Sequence, residues 1–220
     1  MSFDVKAAGR RLRLLTWSYR AISHDMITER NFEMANYNLL EERALLARTV
    51  AEEGIVLLKN ENNVLPLSSE KVAVFGRSQI DTIKCGTGSA YCESEYMVDI
   101  LTGLEEAGVN VDGELASQYR AFCAENPLPA LGVWGTGAHI NPEMPMTKDT
   151  VKMAAQRTDA AIVVFGRTAG ENDDSIVTEG DYMLSFGEKK LLERVCRYFK
   201  KIIVVVNSGN LIDFDFSTNN

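Results

Sequence analysis

The sequence has few of the residues from which metal sites and disulfide scaffolds are built. It has four cysteines and two histidines among 220 residues, too few cysteines for a disulfide-stabilised fold. His24 and His139 lie far apart in the chain and far from any cysteine pair, and the spacing of Cys85 and Cys92 is not one that zinc sites use. We therefore expect free thiols, no metal and no cofactor. The four cysteines are Cys85, Cys92, Cys123 and Cys196.

The chain also lacks an excess of positive charge and a long apolar run. Lys and Arg total 23 against 31 Asp and Glu, a formal charge of −8, which argues against a domain-wide basic surface for nucleic acid. The apolar runs, such as the one at residues 201–207, have the length of a strand and not of a membrane span. Residues 1–13 are basic and contain no apolar segment of the kind that export signals have. We expect a cytoplasmic protein with no nucleic-acid or membrane partner.

Residues 1–33 are predicted to form an N-terminal arm ahead of one domain over residues 34–220. Arg10, Arg11 and Arg13 lie among leucines and aromatic residues in this arm. The pattern fits a short amphipathic helix that contacts a membrane or an acidic partner. It also fits a solvated arm that packs its apolar side on the domain, and the negative charge of the whole chain favours this second interpretation.

Buried strands alternate with amphipathic helices through the rest of the chain. Strands are predicted at residues 71–76, 159–166 and 201–207. Helices are predicted at residues 34–53, 96–108, 113–125 and 185–200. The last helix begins with a capping-box pair, Ser185 and Glu188. This alternation predicts an α/β fold, a mostly parallel sheet flanked by helices on both faces.

Three shorter segments have weaker patterns. Residues 55–58 are interpreted as a short buried run, and residues 109–111 as a short strand. Four of the five prolines lie in residues 124–147, which predicts a long loop of the kind that is usually functional or disordered.

Ligands of open parallel sheets bind beyond the carboxyl ends of the strands, so three loops are candidates for the functional site. They span residues 76–89, 166–174 and 207–210. The first contains Gly86, Thr87, Gly88 and Ser89. This tract fits a phosphate cradle or a plain turn that needs glycine, and neither the dinucleotide-binding glycine pattern nor a P-loop lysine is present.

The second candidate loop is acidic, and its carboxylates fit a solvated surface, a hard-cation site or general acid/base catalysis. Ile176 stands where a calcium loop needs glycine. Glu171 follows the predicted strand most closely, and a catalytic carboxyl there needs burial or a like charge to raise its pKa. No serine has the setting of a hydrolase nucleophile. The acidic residues are Glu171, Asp173, Asp174, Glu179 and Asp181.

Four segments resemble, in the same order, the α/β-sandwich domain of glycoside hydrolase family 3. They are residues 51–67, 72–89, 166–171 and 184–209. In this family the sandwich works with a TIM-like barrel that has the nucleophilic aspartate. In the β-glucosidase branch of the family the sandwich supplies a glutamate as the acid/base.

The resemblance assigns roles to residues in two of the candidate loops. It implies that Glu171 is the acid/base, with Asp173 and Asp174 as secondary acidic candidates. It also implies that residues 86–89 lie at the rim of the active site, close to substrate or barrel. Ala90 and the two residues after it stand where the family commonly has more glycine.

The chain ends at Asn220, where the family's domain continues with another strand and a glycine-rich loop. We expect an N-terminal piece of a longer retaining β-glycosidase of the β-glucosidase type, in which the sandwich precedes the barrel. Its partners are then the barrel domain, a small carbohydrate and, in a homo-oligomer, further copies of itself, and the piece alone is expected to be inactive.

Two alternatives remain at this point. One is a non-catalytic α/β module that binds a nucleotide or small anion at residues 86–89. The other is an interaction domain that docks another chain through the sheet edge left by the missing last strand or strands.

Overall fold

A computed structural model describes residues 5–7, 10–12, 32–94, 96–129, 141–170 and 174–217. The chain divides into two compact units, Met1–Ser68 and Ser69–Asn220. Within the described ranges, no helix combines the length and the apolar character that crossing a membrane requires.

The first unit contains a small hairpin and one long helix. Strands β1 (Val5–Ala7) and β2 (Arg10–Leu12) pair antiparallel, so Arg10 and Arg11 lie in a strand and not in an amphipathic helix. Helix α1 spans Phe32–Gly54 and confirms the predicted helix.

The predicted buried run at residues 55–58 is wrong. Ile55, Val56 and Leu58 are exposed, and no strand forms at these positions. An isolated apolar run of four residues has no neighbouring strand to satisfy its backbone groups, so its composition alone cannot make it a core strand.

The second unit is built on a parallel three-stranded sheet. Its strands are β3 (Val72–Phe75), β4 (Ala160–Arg167) and β5 (Ile202–Ser208), in the order β3-β4-β5. Val74 pairs with Ile162, which pairs with Ile203. The predicted α/β class is therefore confirmed.

Helices connect the strands as parallel pairing requires. Between β3 and β4 lie α2 (Ile100–Glu106), α3 (Gly113–Glu125) and α4 (Lys148–Arg157), and between β4 and β5 lies α5 (Phe186–Tyr198). The segment at residues 109–111 makes only a single bridge, from Val111 to Val72, where the sequence predicted a short strand.

The central strand β4 is buried along its whole length, which explains its continuous run of apolar residues. Ala161, Val163 and Phe165 belong to a core that includes apolar side chains of α3, α4 and α5. Ile162 and Val164, which point to the opposite face of the sheet, are buried as well. Both faces are thus covered.

The capping box predicted at the start of α5 is present. The Glu188 amide donates to the Ser185 hydroxyl at 3.2 Å, and the Ser185 amide donates to Glu188 Oε2 at 2.7 Å. These bonds satisfy two donors that the first turn of a helix leaves without a partner. They also fix the residue at which α5 begins, after the loop that follows β4.

Candidate functional site

The loops that follow the three strands meet at the carboxyl edge of the sheet. The side chain of Asn207, near the end of β5, accepts a hydrogen bond from the Ile83 amide at 2.6 Å and donates one to the Ile83 carbonyl at 3.2 Å. Asn210 Nδ2 donates to the Thr168 carbonyl at 3.3 Å. The end of β5 therefore holds both the loop after β3 and the chain just after β4.

The tract at residues 86–89 is joined to the loop that follows β4. The Thr87 amide donates to the Ala169 carbonyl at 2.8 Å, and Thr87 bridges Gly170 in parallel fashion. A Cβ at Gly86 would lie 2.6 Å from the Ala169 carbonyl oxygen, so this approach requires glycine. Of the predicted rim residues, Thr87 is buried, Gly86 and Gly88 are half-buried and Ser89 is exposed.

This arrangement bears on the phosphate interpretation of the same tract. A phosphate-binding loop points free backbone N–H groups at its ligand. The Gly86 amide instead donates to the Ala90 carbonyl at 3.2 Å, and the Thr87 amide donates to the Ala169 carbonyl. Two of the four amides in the tract thus serve the loop itself, which weakens the case for an anion cradle.

A buried ion pair fixes the chain on both sides of the acidic loop. Arg167, the last residue of β4, binds both carboxylate oxygens of Glu188 at 2.7 Å, and both side chains are almost fully buried. Its guanidinium also donates to the carbonyls of Asp181 and Met183, at 2.6 and 3.3 Å. Arg167 therefore ties residues 181–183, at the far end of the acidic loop, to the end of β4.

The acidic residues predicted in this loop have different environments. Glu179 pairs with Lys189 at 2.7 Å, and Asp181 Oδ2 accepts from the Ile176 amide at 2.7 Å. Asp174 is exposed. Glu171 and Asp173, the other predicted candidates, lie outside the described residues, so only the positions that flank them, Gly170 and Asp174, are described.

Sequence reasoning missed the carboxyl of Glu143, a half-buried residue beneath the end of β3. Glu143 accepts hydrogen bonds from the Arg77 amide and the Met144 amide, both at 2.9 Å, and from the Tyr119 hydroxyl at 3.1 Å. The Tyr119 oxygen in turn accepts from the Gly76 amide at 2.8 Å. The only indication in the sequence was that Glu143 lies in the long loop at residues 124–147, because a single glutamate has no periodic pattern.

Burial raises the pKa of Glu143 to about 7, because the desolvation of its carboxylate outweighs the lowering effect of its three donors. Burial also raises the pKa of Tyr119 well above its usual value, and the nearby Glu143 charge adds to this shift. The pair is thus a titratable cluster under the first residues of the loop that leads to Gly86.

Arg77, at the same strand end, is fully buried. Its Nε lies 2.5 Å from Asp81 Oδ2, and its guanidinium donates to the carbonyls of Asn126 and Pro142. Asn126 follows α3, whereas Pro142 precedes α4, so this one side chain joins the end of α3 to the segment before α4.

Large apolar side chains are exposed in the segments that come after the candidate loops. Among the described residues of the second unit, eight of the ten exposed large apolar side chains lie in these segments, at residues 91–98, 176–177 and 211–214. We call this set the apolar rim: Tyr91, Tyr96, Met97, Val98, Ile176, Val177, Leu211 and Phe214. Exposed apolar side chains that adjoin one another mark an interaction surface, and three of these residues, Tyr96, Met97 and Val98, are consecutive in the chain.

Comparison with known proteins finds a family model and individual relatives that are consistent with one another. A family model described as the glycosyl hydrolase family 3 C-terminal domain matches residues 55–220. A β-glucosidase of Ruminococcus albus is 41% identical over 172 residues, which are 77% of this chain and 18% of that protein.

Solved structures give the same result. A β-glucosidase from Paenibacillus barengoltzii matches with a TM-score of 0.68 at 42% identity, over 74% of this chain and 18% of its own. β-Glucosidase 3B from Thermotoga neapolitana, solved in complex with glucose, matches with a TM-score of 0.72 at 34% identity, over 84% of this chain and 26% of its own. The chain thus spans between 18% and 26% of the length of these relatives.

Proposed function

Because this chain belongs to glycosyl hydrolase family 3 and contains its C-terminal domain, we propose that it supplies the acid/base of a retaining β-glycosidase. The substrate is a terminal β-linked sugar, of the type that β-glucosidases cleave. The nucleophile comes from a barrel domain elsewhere in a longer protein. The observation with most weight is the family match over residues 55–220, together with relatives whose names are β-glucosidase.

Glu171 is the residue we assign to this role. It directly follows Gly170, which bridges Thr87 at the carboxyl edge of the sheet. Arg167, four residues before Glu171, is fixed by the buried pair with Glu188. The backbone next to Glu171 is therefore held in place. An acid/base needs such support, because its carboxyl must be positioned accurately.

The chemistry needs only one carboxyl from this chain. Retaining glycosidases use two carboxyls about 5–5.5 Å apart. The nucleophile attacks the anomeric carbon while Glu171 gives its proton to the departing oxygen. Glu171 then takes a proton from the water that cleaves the glycosyl-enzyme ester. Asp173 and Asp174 are the secondary candidates, and Asp174 is exposed.

The apolar rim supports the proposal of a partner domain at this edge. Its residues follow the three candidate loops along the chain, at positions 91–98, 176–177 and 211–214, and exposed apolar side chains are what an interface covers. We propose that the barrel packs here and that the sugar binds between the two domains. The domain boundary near residue 34, the sandwich-first order, a cytoplasmic location and a homo-oligomer stay predictions.

The test compares the 220-residue chain with the same chain extended through its native downstream sequence. Hydrolysis of an aryl β-glucoside is expected only from the extended protein. Clear turnover by the 220-residue chain alone would mean that the nucleophile lies within it, and the split-site proposal would then be wrong.

The role of Glu171 is tested in the extended protein by varying the leaving group. Glu171→Ala is expected to lower turnover about 10²–10⁴-fold for poor leaving groups, and less for activated aryl groups whose departure needs little protonation. Asp174→Ala is the matched control and should retain the parent's turnover. Equal losses for both classes of leaving group in Glu171→Ala would argue against the acid/base role.

A further inference from the structure

The loop that contains residues 86–89 has a closed neck with a thiol on each side. Lys84 Nζ donates to Ser94 Oγ at 3.0 Å, Cys85 Sγ donates to the Cys92 carbonyl at 3.7 Å, and the Gly86 amide donates to the Ala90 carbonyl at 3.2 Å. Three successive contacts therefore join the two sides of the neck, and the middle one joins the two cysteines.

We propose that Cys85 and Cys92 form a reversible disulfide across this neck. Both thiols are free in the structure, and Cys92 is exposed whereas Cys85 is half-buried. An exposed thiol that reacts first with an oxidant would then have a second thiol within reach to resolve it. The disulfide would close residues 85–92 into a covalent ring that includes the whole predicted rim tract.

The two cysteines are neighbours across the neck, because Cys85 Sγ lies 3.7 Å from the Cys92 carbonyl oxygen. A disulfide requires Cα atoms about 4.4–6.8 Å apart, so the two sides of the neck must adopt that separation when the bond forms. Residues 91–94 form no helix or strand, so a rotation of the exposed Cys92 and a shift of this segment disturb no regular hydrogen-bond ladder.

The other two cysteines provide an internal contrast. Cys123 is buried in α3, and desolvation raises the pKa of its thiol to about 12. Cys196 lies in α5 and is exposed, but desolvation raises the pKa of its thiol as well. A raised pKa leaves less of the reactive thiolate, so neither thiol is expected to compete with the neck pair.

The reaction balances with a small disulfide such as oxidised glutathione as the oxidant. The Cys92 thiolate attacks one glutathione sulfur, forms a mixed disulfide and releases one glutathione thiolate. The Cys85 thiolate then attacks the Cys92 sulfur, forms the internal disulfide and releases the second glutathione thiolate. Two protein thiols are oxidised and one glutathione disulfide is reduced, and a thiol reductant reverses both steps.

The consequence for activity rests on the proposed function. Thr87, inside the ring, is bonded to Ala169 next to Gly170. A covalent ring would restrict the adjustment of this tract around a sugar. We therefore expect oxidation to lower hydrolysis by the extended protein and reduction to restore it.

The primary test measures thiols in the 220-residue chain and does not depend on hydrolysis. The chain is incubated with oxidised glutathione, free thiols are alkylated, and the digest is analysed by mass spectrometry. Trypsin leaves Cys85 and Cys92 in one peptide, residues 85–120, and puts Cys123 and Cys196 in others. We expect this peptide to lose the mass of two hydrogens, and further cleavage after Tyr91 to leave its two halves linked.

Variants separate the proposed pair from unspecific oxidation. Cys92→Ser should abolish the linked peptide, whereas Cys196→Ser, the matched control, should leave it unchanged. Glutathione adducts that persist on Cys92, or disulfides that involve Cys123, Cys196 or a second copy of the chain, would overturn the proposal. If the internal disulfide forms but the active extended protein hydrolyses substrate equally well in both states, the rim role of the tract is wrong while the thiol pair stands.

Discussion

Arg167 shows how one residue couples the fold to the candidate site. Its guanidinium satisfies Glu188, which also caps α5, and it holds the returning end of the acidic loop through the carbonyls of Asp181 and Met183. Removing one partner of a buried pair leaves an uncompensated charge, which is much more costly than losing an exposed pair.

We expect Arg167→Ala to lower the free energy of unfolding of the 220-residue chain by about 3–5 kcal/mol, measured by urea denaturation. The matched control is Arg197→Ala, which removes an exposed pair with Glu193 in α5 and should change stability little. Similar effects of the two substitutions would contradict the account of the strand end.

The Glu143 carboxyl gives the chain a pH dependence with a definite sign. Its pKa is about 7 in the folded chain against an ordinary 4.5. The folded state therefore holds this proton more tightly than the unfolded state between these two values. The stabilising contribution of the proton is fully present below pH 4.5 and is lost as pH rises through about 7.

Glu143→Gln removes this titration while it keeps the shape of the side chain. We expect the free energy of unfolding of the parent, relative to Glu143→Gln, to fall between pH 5 and pH 7.5, by up to about 3 kcal/mol. The measurement is urea denaturation of both proteins across that pH range. Parallel stability curves would show that Glu143 has an ordinary pKa in the folded chain.

At the scale of elements, the sequence predicted what depends on local pattern. Helix α3 has the predicted bounds, Gly113–Glu125, and the three strands lie within one or two residues of their predicted positions. Buried parallel strands have continuous apolar runs, and this pattern is readable without tertiary context.

The misses come from weak local patterns. Helix α4 was not predicted because only Val151 and Ala154 of its ten residues are buried, which gives too narrow an apolar stripe. Helix α2 begins at Ile100 and not at residue 96, because Asp99 caps it by accepting from the Thr102 amide at 2.6 Å. An N-cap outweighs the apolar character of the residues before it.

The strand ends predicted that three loops would meet, since the carboxyl ends of parallel strands lie at one edge of a sheet, and the structure brings these loops together. The bonds around these loops, such as Asn207 to Ile83 or Glu143 to the Arg77 amide, connect residues more than 60 positions apart. No local pattern encodes such tertiary partners.

The capping box of α5 provides a prediction at this scale. Ser185→Ala is expected to cost about 1 kcal/mol in the free energy of unfolding, because the Glu188 amide loses its acceptor. Ser117→Ala is the matched control, since Ser117 lies inside α3 and bonds only the Gly113 carbonyl. Alanine is the better helix former there, so the control should be neutral or slightly stabilising. Equal losses in urea denaturation would contradict the capping role.

At the scale of the whole molecule, the chain combines a parallel sheet whose central strand is buried with loops that meet at the carboxyl edge of that sheet. Thr87 and Gly170 tether these loops, exposed apolar residues follow them along the chain, and the chain covers only 18% to 26% of the length of its relatives. These features together favour a site that is shared with another domain, with Glu171 as this chain's contribution.

The most direct test of that claim is azide rescue of Glu171→Ala in the extended protein, with an activated aryl β-glucoside as substrate. Without its base, the variant should accumulate glycosyl-enzyme. Azide needs no deprotonation, so it should attack the anomeric carbon as the enzyme ester breaks, raise the rate and give the β-glycosyl azide. Asp174→Ala should hydrolyse like the parent and ignore azide. A Glu171→Ala protein that retains the parent's rate on poor leaving groups and gives no glycosyl azide would contradict the account.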